Sequence, residues 1–567
     1  MSATPTSFDA NRPGPDPLVA GPSPLHRLYR RDLAQYPPTG RRMAYLAIVV
    51  ITTVVLYYML YIQYAVATSI IGHFGMTYRY FVWVSVIGNA VGAFASLVAG
   101  LADRWGRANL VVYGLLVASV LVFFGLPNAG GKATYLVLFA LVSFVEGIVL
   151  VATPALIRDF SPQLGRATAM GAWTMGPVVG SLVVTTVTSH TLDSSSWQDE
   201  LRYSAIAGFA VFVVAIFALR ELSPRLRDQI MVTLRDRALV EARAKGIDPQ
   251  AARSGQWRQM LRLDVAGSAV AISVFLLLYF AAVGNFVVFF ATTFGYSEQR
   301  ANAVANWYWA ANAIALVVVG LLSDRLKVRK PFMIVGAVGS IVVTSLFAIK
   351  TTHPGTDYYT FAWLFVGIGV FSGVAYGPWM ASFTETVEKH NPAATATGLA
   401  VWGWTIRIVV AVSAAFIPVL VTAVTPLVEH GTEVSAASQQ AAPALAIVKA
   451  HPDIFAELGK YTPQTTPPEL AARAAQEVGV ANLGVVQKAQ PQLAVLNKYG
   501  TKVQKASADG PGQWRDWWWI CVGGQVLFLP FVFVMAGRWS PKKAREDAES
   551  HQQAVDREME ALAPEGA

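Results

Sequence analysis

Some twelve runs of almost continuously apolar residues dominate this chain, and each is close to the roughly 20 residues a helix needs to cross a bilayer. They fall at roughly 43–70, 80–101, 108–127, 133–157, 166–190, 201–220, 264–291, 299–322, 331–349, 357–385, 395–424 and 516–537. Inside them the apolar residues do not alternate with polar ones, which argues for helices and against a membrane barrel, whose strands show a period of two. With 54% hydrophobic and 14% charged residues and a mean hydropathy of +0.44, a soluble globular protein is excluded. The expected fold is an all-α membrane protein of twelve transmembrane helices.

The +9 formal charge raises nucleic acid as a partner, but the basic residues follow topology and form no binding stripe. Arg104 and Arg107 follow span 2, Arg325, Lys327, Arg329 and Lys330 follow span 8, and the link after span 6 runs from Arg225 to Arg262. All lie on one side, which the positive-inside rule makes cytoplasmic. An even span count then puts both termini there too, and a plasma (inner) membrane location is expected.

The chain divides into a polar, disordered N-terminal tail (1–42), a six-helix half (43–221), a basic link (222–262), helices 7–11 (263–425), a long outer insertion (426–514), helix 12 (515–538) and a cytoplasmic tail (539–567). The start has no early apolar core and reads as no cleavable signal peptide. In the link, Ser223-Pro224 resembles a helix start, and Leu226, Ile230 and Leu234 recur every four residues, as in an amphipathic helix lying on the membrane surface. In the insertion, Thr466-Pro467-Pro468-Glu469 has capping-box spacing, so a small helical extracytoplasmic cap is expected, with partial disorder as the alternative because large apolar residues are sparse. The only cysteine, Cys521, excludes an internal disulfide.

One turn occurs twice, half a chain apart. Gly100-Leu-Ala-Asp103-Arg104-Trp-Gly106-Arg107 closes span 2 and Gly320-Leu-Leu-Ser-Asp324-Arg325-Leu-Lys327-Val-Arg329 closes span 8. With the twelve spans and the central basic link, this repeat resembles the major facilitator superfamily over nearly the whole chain except the tails and the insertion. The resemblance implies two pseudo-symmetric six-helix halves around a cavity that opens alternately to each side. It further implies that Asp103, Arg104, Arg107, Asp324, Arg325 and Arg329 gate that motion, the arginines pairing with acids across the interface between the halves. Arg158-Asp159-Phe-Ser-Pro162-Gln-Leu-Gly-Arg166 is similar to the family's pattern after span 4, and Gly176-Pro177-Val-Val-Gly180 to part of the glycine-proline motif of its antiporters. Small residues there also simply allow close helix packing.

A charged group at a helix centre in lipid costs roughly 2.5–3.5 kcal/mol and usually faces a cavity. Glu146, midway along span 4, and Arg407, midway along span 11, qualify. A carboxylate alternately exposed to the two sides can load and release a proton, which makes Glu146 the candidate coupling site; the alternative is a structural partner for another buried polar group. Glu146 stands where the family carries glutamine, and Ser143 replaces an arginine expected three residues earlier. Arg407 offers a planar fork for a carboxylate or phosphate, or else pairs with Glu146. Around them Tyr57, Tyr61 and Tyr64 share a face of span 1 near Gln63. Asn302, Asn306 and Trp309 share a face of span 8, and Trp173, Tyr279, Asn285, Tyr376, Trp379 and Trp404 complete the candidate substrate contacts.

No phosphate-binding loop is present, and the sequence holds no metal cluster, so neither ATP drive, cofactor nor metal is expected. No nucleophile–base–acid arrangement suggests an enzyme. The expected protein is a monomeric secondary transporter embedded in the lipid bilayer, with protons and a small molecule, first of all an organic anion, as its partners. Proton-antiport efflux of amphiphilic or cationic drugs is the alternative within transport. A non-transporting receptor or scaffold working through the insertion is the alternative outside it.

Overall fold

A computed structural model describes residues 29–97, 105–161, 171–223, 226, 256–391, 395–461 and 465–562. Ten helices among these are long and apolar enough to cross a membrane. Two further expected spans are represented by Tyr78–Leu97 (span 2) and Gly176–Thr191 (span 5), each bordering residues outside the described set. Asp103, Arg104, Pro162 to Arg166, and the link residues Ile230 and Leu234 lie outside it as well.

Several helices begin where the sequence supplies a cap. Ser196 opens span 6 (Trp197–Ala218) with a reciprocal capping box to Asp199, Ser297 caps span 8 (Glu298–Leu326), and Asp357 accepts from two backbone N–H groups at the start of span 10 (Tyr358–His390). Span 1 is not continuous. It runs over Thr39–Ala65, breaks at Val66 (φ −121°, ψ 30°) and resumes as Ala67–Phe74.

Spans 1–6 and 7–12 form two halves that meet where span 5 packs along span 8, span 2 along span 11 (Thr395–Leu420), and span 1 on span 7 (Leu263–Phe294). Glycines set the closest approaches. A Cβ on Gly147 would lie 2.3 Å from the Gly92 carbonyl oxygen, so spans 4 (Lys132–Phe160) and 2 touch backbone to backbone. On span 5, a Cβ on Gly176 would meet Thr53 at 2.6 Å and one on Gly180 the Cβ of Tyr57 at 2.6 Å. The antiporter-like glycines thus serve to bring span 5 onto span 1.

At the basic end, each half is clasped internally. Arg107 pairs with Asp159 at 2.9 Å and its backbone N–H donates to Glu221. Arg329 pairs with Asp324 at 2.7 Å and with Glu385 at 3.1 Å. The pairs described for Arg107 with Asp159 and for Arg329 with Asp324 and Glu385 thus lie within one half each. Arg325 is exposed.

The tail residues 29–38 are held in place. Asp32–Leu33 pairs as a short parallel strand with Glu221–Leu222. Buried Arg31 donates to Asn109 Oδ1 at 2.9 Å and to the carbonyls of Ile216, Leu219 and Ala215 at the end of span 6.

The insertion is helical. Val424–Gln440, Ala442–Ala450, Pro452–Leu458, Pro468–Glu477, Val480–Lys488 and Gln490–Val495 follow one another, and Thr501–Val534 then runs from the insertion straight through span 12. Two small apolar clusters, one around Ala444 and Val486 and one around Ile454 and Val478, hold the tip together.

Candidate functional site

Glu146 lies midway along span 4, only 2% exposed, and neither carboxylate oxygen has a hydrogen-bond partner. An ionised carboxylate in that position is too costly to persist for packing alone. The backbone contact of Gly147 with Gly92 fixes its height and direction. Arg407 occupies the middle of span 11 and is exposed, on the same helical face as the small residues Gly403 and Ala411. No ion pair joins it to Glu146, so the pairing considered from sequence is not formed. Tyr57 lies within electrostatic range of both charges.

The tyrosines come together as their spacing implies. Ring centroids of Tyr57 and Tyr61 are 5.2 Å apart and those of Tyr61 and Tyr64 6.3 Å. Within the second half, Tyr279 packs edge-on to Trp309 at 5.2 Å. Tyr376 stacks on Trp379 at 6.1 Å, which in turn meets Trp402 at 5.8 Å. The indole N–H groups of Trp379 and Trp402 have no partner. Glu146 on the first half is thus an unpaired acceptor, while the unpaired indoles of Trp379 and Trp402 lie within an apolar cluster of the second half.

Other candidates are engaged elsewhere. Gln63 is buried and accepts from Tyr135 OH at 3.2 Å, inside the first half. Trp173 donates to Thr153 at 3.0 Å, tying span 5 to span 4. Trp404 is 56% exposed on an apolar stripe with Ile408, Val412 and Phe416, apart from the cluster.

The three asparagines form a seal between the halves. Asn285 accepts from Tyr78 OH at 2.6 Å, Asn302 donates to the Ala65 carbonyl at 2.9 Å, and Asn306 accepts from Thr185 at 3.1 Å and Thr186 at 2.9 Å. Glu298, which sequence reasoning passed over, accepts from Thr68 and Ser69, and Gln299 donates to Asp193 at 2.6 Å. All these contacts sit toward the insertion end. Beneath them, Tyr61, Tyr64, Ser181, Thr185, Asn302 and Trp309 enclose a cavity of about 20 Å³, room for a single water. The bundle is thus shut toward the insertion. A larger groove of about 310 Å³, lined by Val91, Leu136, Val137 and Phe144, is apolar and lies on the flank of spans 2 and 4, away from this chemistry.

The sequence over residues 49–414 matches the family model of the Major Facilitator Superfamily. The chain belongs to that superfamily. No curated protein matches it. Among solved structures, it resembles a bacterial homologue of the human lysosomal transporter Spinster in an inward-facing, occupied conformation, with TM-score 0.55, 15% identity, and coverage of 88% of this chain and 97% of that one. It also resembles a D-xylose–proton symporter, with TM-score 0.52, 13% identity, and coverage of 66% and 90% respectively. At such identities the likeness is one of fold. This superfamily member is a multi-pass membrane transporter, and the two halves just described are its repeats.

Proposed function

We propose that this chain is a proton-coupled secondary transporter of a small organic solute bearing an anionic group, working in the plasma membrane with both termini cytoplasmic. The observation that carries the reading is Glu146: a carboxylate at mid-membrane, buried, with both oxygens unpartnered. Such a group is tolerated as the neutral acid and becomes useful when one side of the membrane supplies the proton and the other removes it. Arg407 supplies the permanent positive charge toward which an anion is drawn, and the tyrosines and the free indole N–H groups of Trp379 and Trp402 suit a partly apolar body with acceptor atoms. In this scheme Tyr57, Tyr61, Tyr64, Tyr279, Trp309, Tyr376 and Trp379 contact substrate.

A second reading has an observation of its own. A carboxylate beside Tyr57, Tyr61 and Tyr64 also suits a cation, which ring faces attract, and that favours export of amphiphilic cations. Thermal-shift titration of purified protein separates the two. On the anion reading, carboxylates raise the melting temperature of the native protein and lose that effect in Arg407→Ala, while lipophilic cations do neither. Stabilisation by cations that survives Arg407→Ala and disappears in Glu146→Gln contradicts the anion reading and establishes the other.

A further inference from the structure

We infer that Glu298 is the latch of the insertion-side gate, a positioning residue that holds the transporter shut by capping the broken first span. Span 1 breaks at Val66, and a helix break within a membrane leaves backbone groups that need partners. Those partners come from the opposite half. Glu298 Oε1 accepts from the Ser69 backbone N–H at 2.9 Å and from Thr68 Oγ1 at 2.5 Å, while Oε2 accepts from Ser69 Oγ at 2.6 Å. One helical turn on, Asn302 Nδ2 donates to the Ala65 carbonyl at 2.9 Å. Residues 298 and 302 share one face of span 8, so a single ridge of that helix serves both sides of the break: an acceptor for the segment that begins at Ala67, and a donor for the one that ends at Ala65.

The carboxylate is dedicated to this task. Among the described residues no cation pairs with Glu298, and its neighbour Arg300 lies over the rings of Tyr296 and Tyr358. A negative charge at the N-terminus of Ala67–Phe74 is also favoured by the helix dipole. Opening toward the insertion pulls span 8 from span 1 and strips all of these bonds together. Among the described residues, the other inter-half side-chain hydrogen bonds on this side are the neutral pairs of Asn285 with Tyr78 and of Asn306 with Thr185 and Thr186, and a single exposed bond to a carboxylate, Gln299–Asp193. Glu298 gathers three part-buried hydrogen bonds on one charged acceptor, and such bonds are about twice as strong as neutral ones, so Glu298 dominates the closed state.

The test needs neither substrate nor proton flux, so its outcome is independent of the transport reading above. Ala305, 2% exposed, lines the small cavity directly beneath the seal. In a Cys521→Ser background, Ala305→Cys is labelled with a membrane-impermeant maleimide in proteoliposomes. With Glu298 intact labelling is slow. Glu298→Gln, which keeps the shape but removes one acceptor and the charge, speeds it about tenfold; Glu298→Asp restores at least part of the protection, and Gln299→Ala leaves the rate within about twofold. The double variant Thr68→Val/Ser69→Ala keeps Glu298 but removes its hydroxyl donors, and it carries the test if Glu298→Gln does not fold. Unchanged labelling in Glu298→Gln, or in the double variant in its place, overturns the inference, as does equal acceleration by Gln299→Ala.

Discussion

Glu146 concentrates the chemistry at the scale of single residues. Its burial without a partner means that the folded protein gains nothing from the carboxylate as such. Glu146→Gln is therefore expected to leave the melting temperature of the purified protein unchanged or slightly raised, while substrate-driven proton movement falls at least about a hundredfold, below detection in most assays. A drop of several degrees would instead mean that the carboxylate is structural. Residue identity was only partly readable in advance. The spacing of Tyr57, Tyr61 and Tyr64 reports a shared face because helical period is a local property, and the rings do meet. The same periodicity cannot tell a substrate ligand from a seal, since both point inward. Asn302 and Asn306 share a face by that period, and both, like Asn285, bond to the opposite half. Glu298 went unnoticed because an acid just after Ser297 reads as an ordinary helix start.

Among elements, the glycines of span 5 decide how the site is held. Gly180 sits where a Cβ would come within 2.6 Å of the Cβ of Tyr57 and 3.1 Å of the Val54 carbonyl oxygen. Gly180→Ala should force span 5 off span 1, cost about 1–3 kcal/mol, and weaken substrate affinity through the displaced Tyr57. The check is a thermal melt beside a binding titration; unchanged values in both would show that the two helices have slack. Gly171 on the same span has nothing within 4 Å of its Cβ position and serves as the comparison. Element existence was legible in the sequence because about twenty apolar residues signal a span whatever surrounds them. Partner choice was not: Arg107 finds Asp159 and Arg329 finds Glu385 within their own halves, and such pairings depend on how helices are arranged in space, which spacing along the chain does not encode.

For the whole molecule, the question is whether the insertion takes part in transport. Its tip is a self-contained set of helices on small clusters of its own, and Gln492 Nε2 donates to Gln440 Oε1 at 3.1 Å, so the ends of the tip lie side by side. Replacing 442–489 by a short Gly/Ser linker should leave transport within about twofold of the native rate, since long surface segments are exchanged at little cost. Complete loss of transport with a folded membrane domain would place function in the insertion.

The central claim is tested most directly by recording lumenal pH in proteoliposomes on adding a panel of carboxylates, phosphorylated metabolites and lipophilic cations, with native protein beside Glu146→Gln and Arg407→Ala. The account predicts proton movement with anions alone, lost in both variants. Proton movement driven by cations and surviving Arg407→Ala would contradict it.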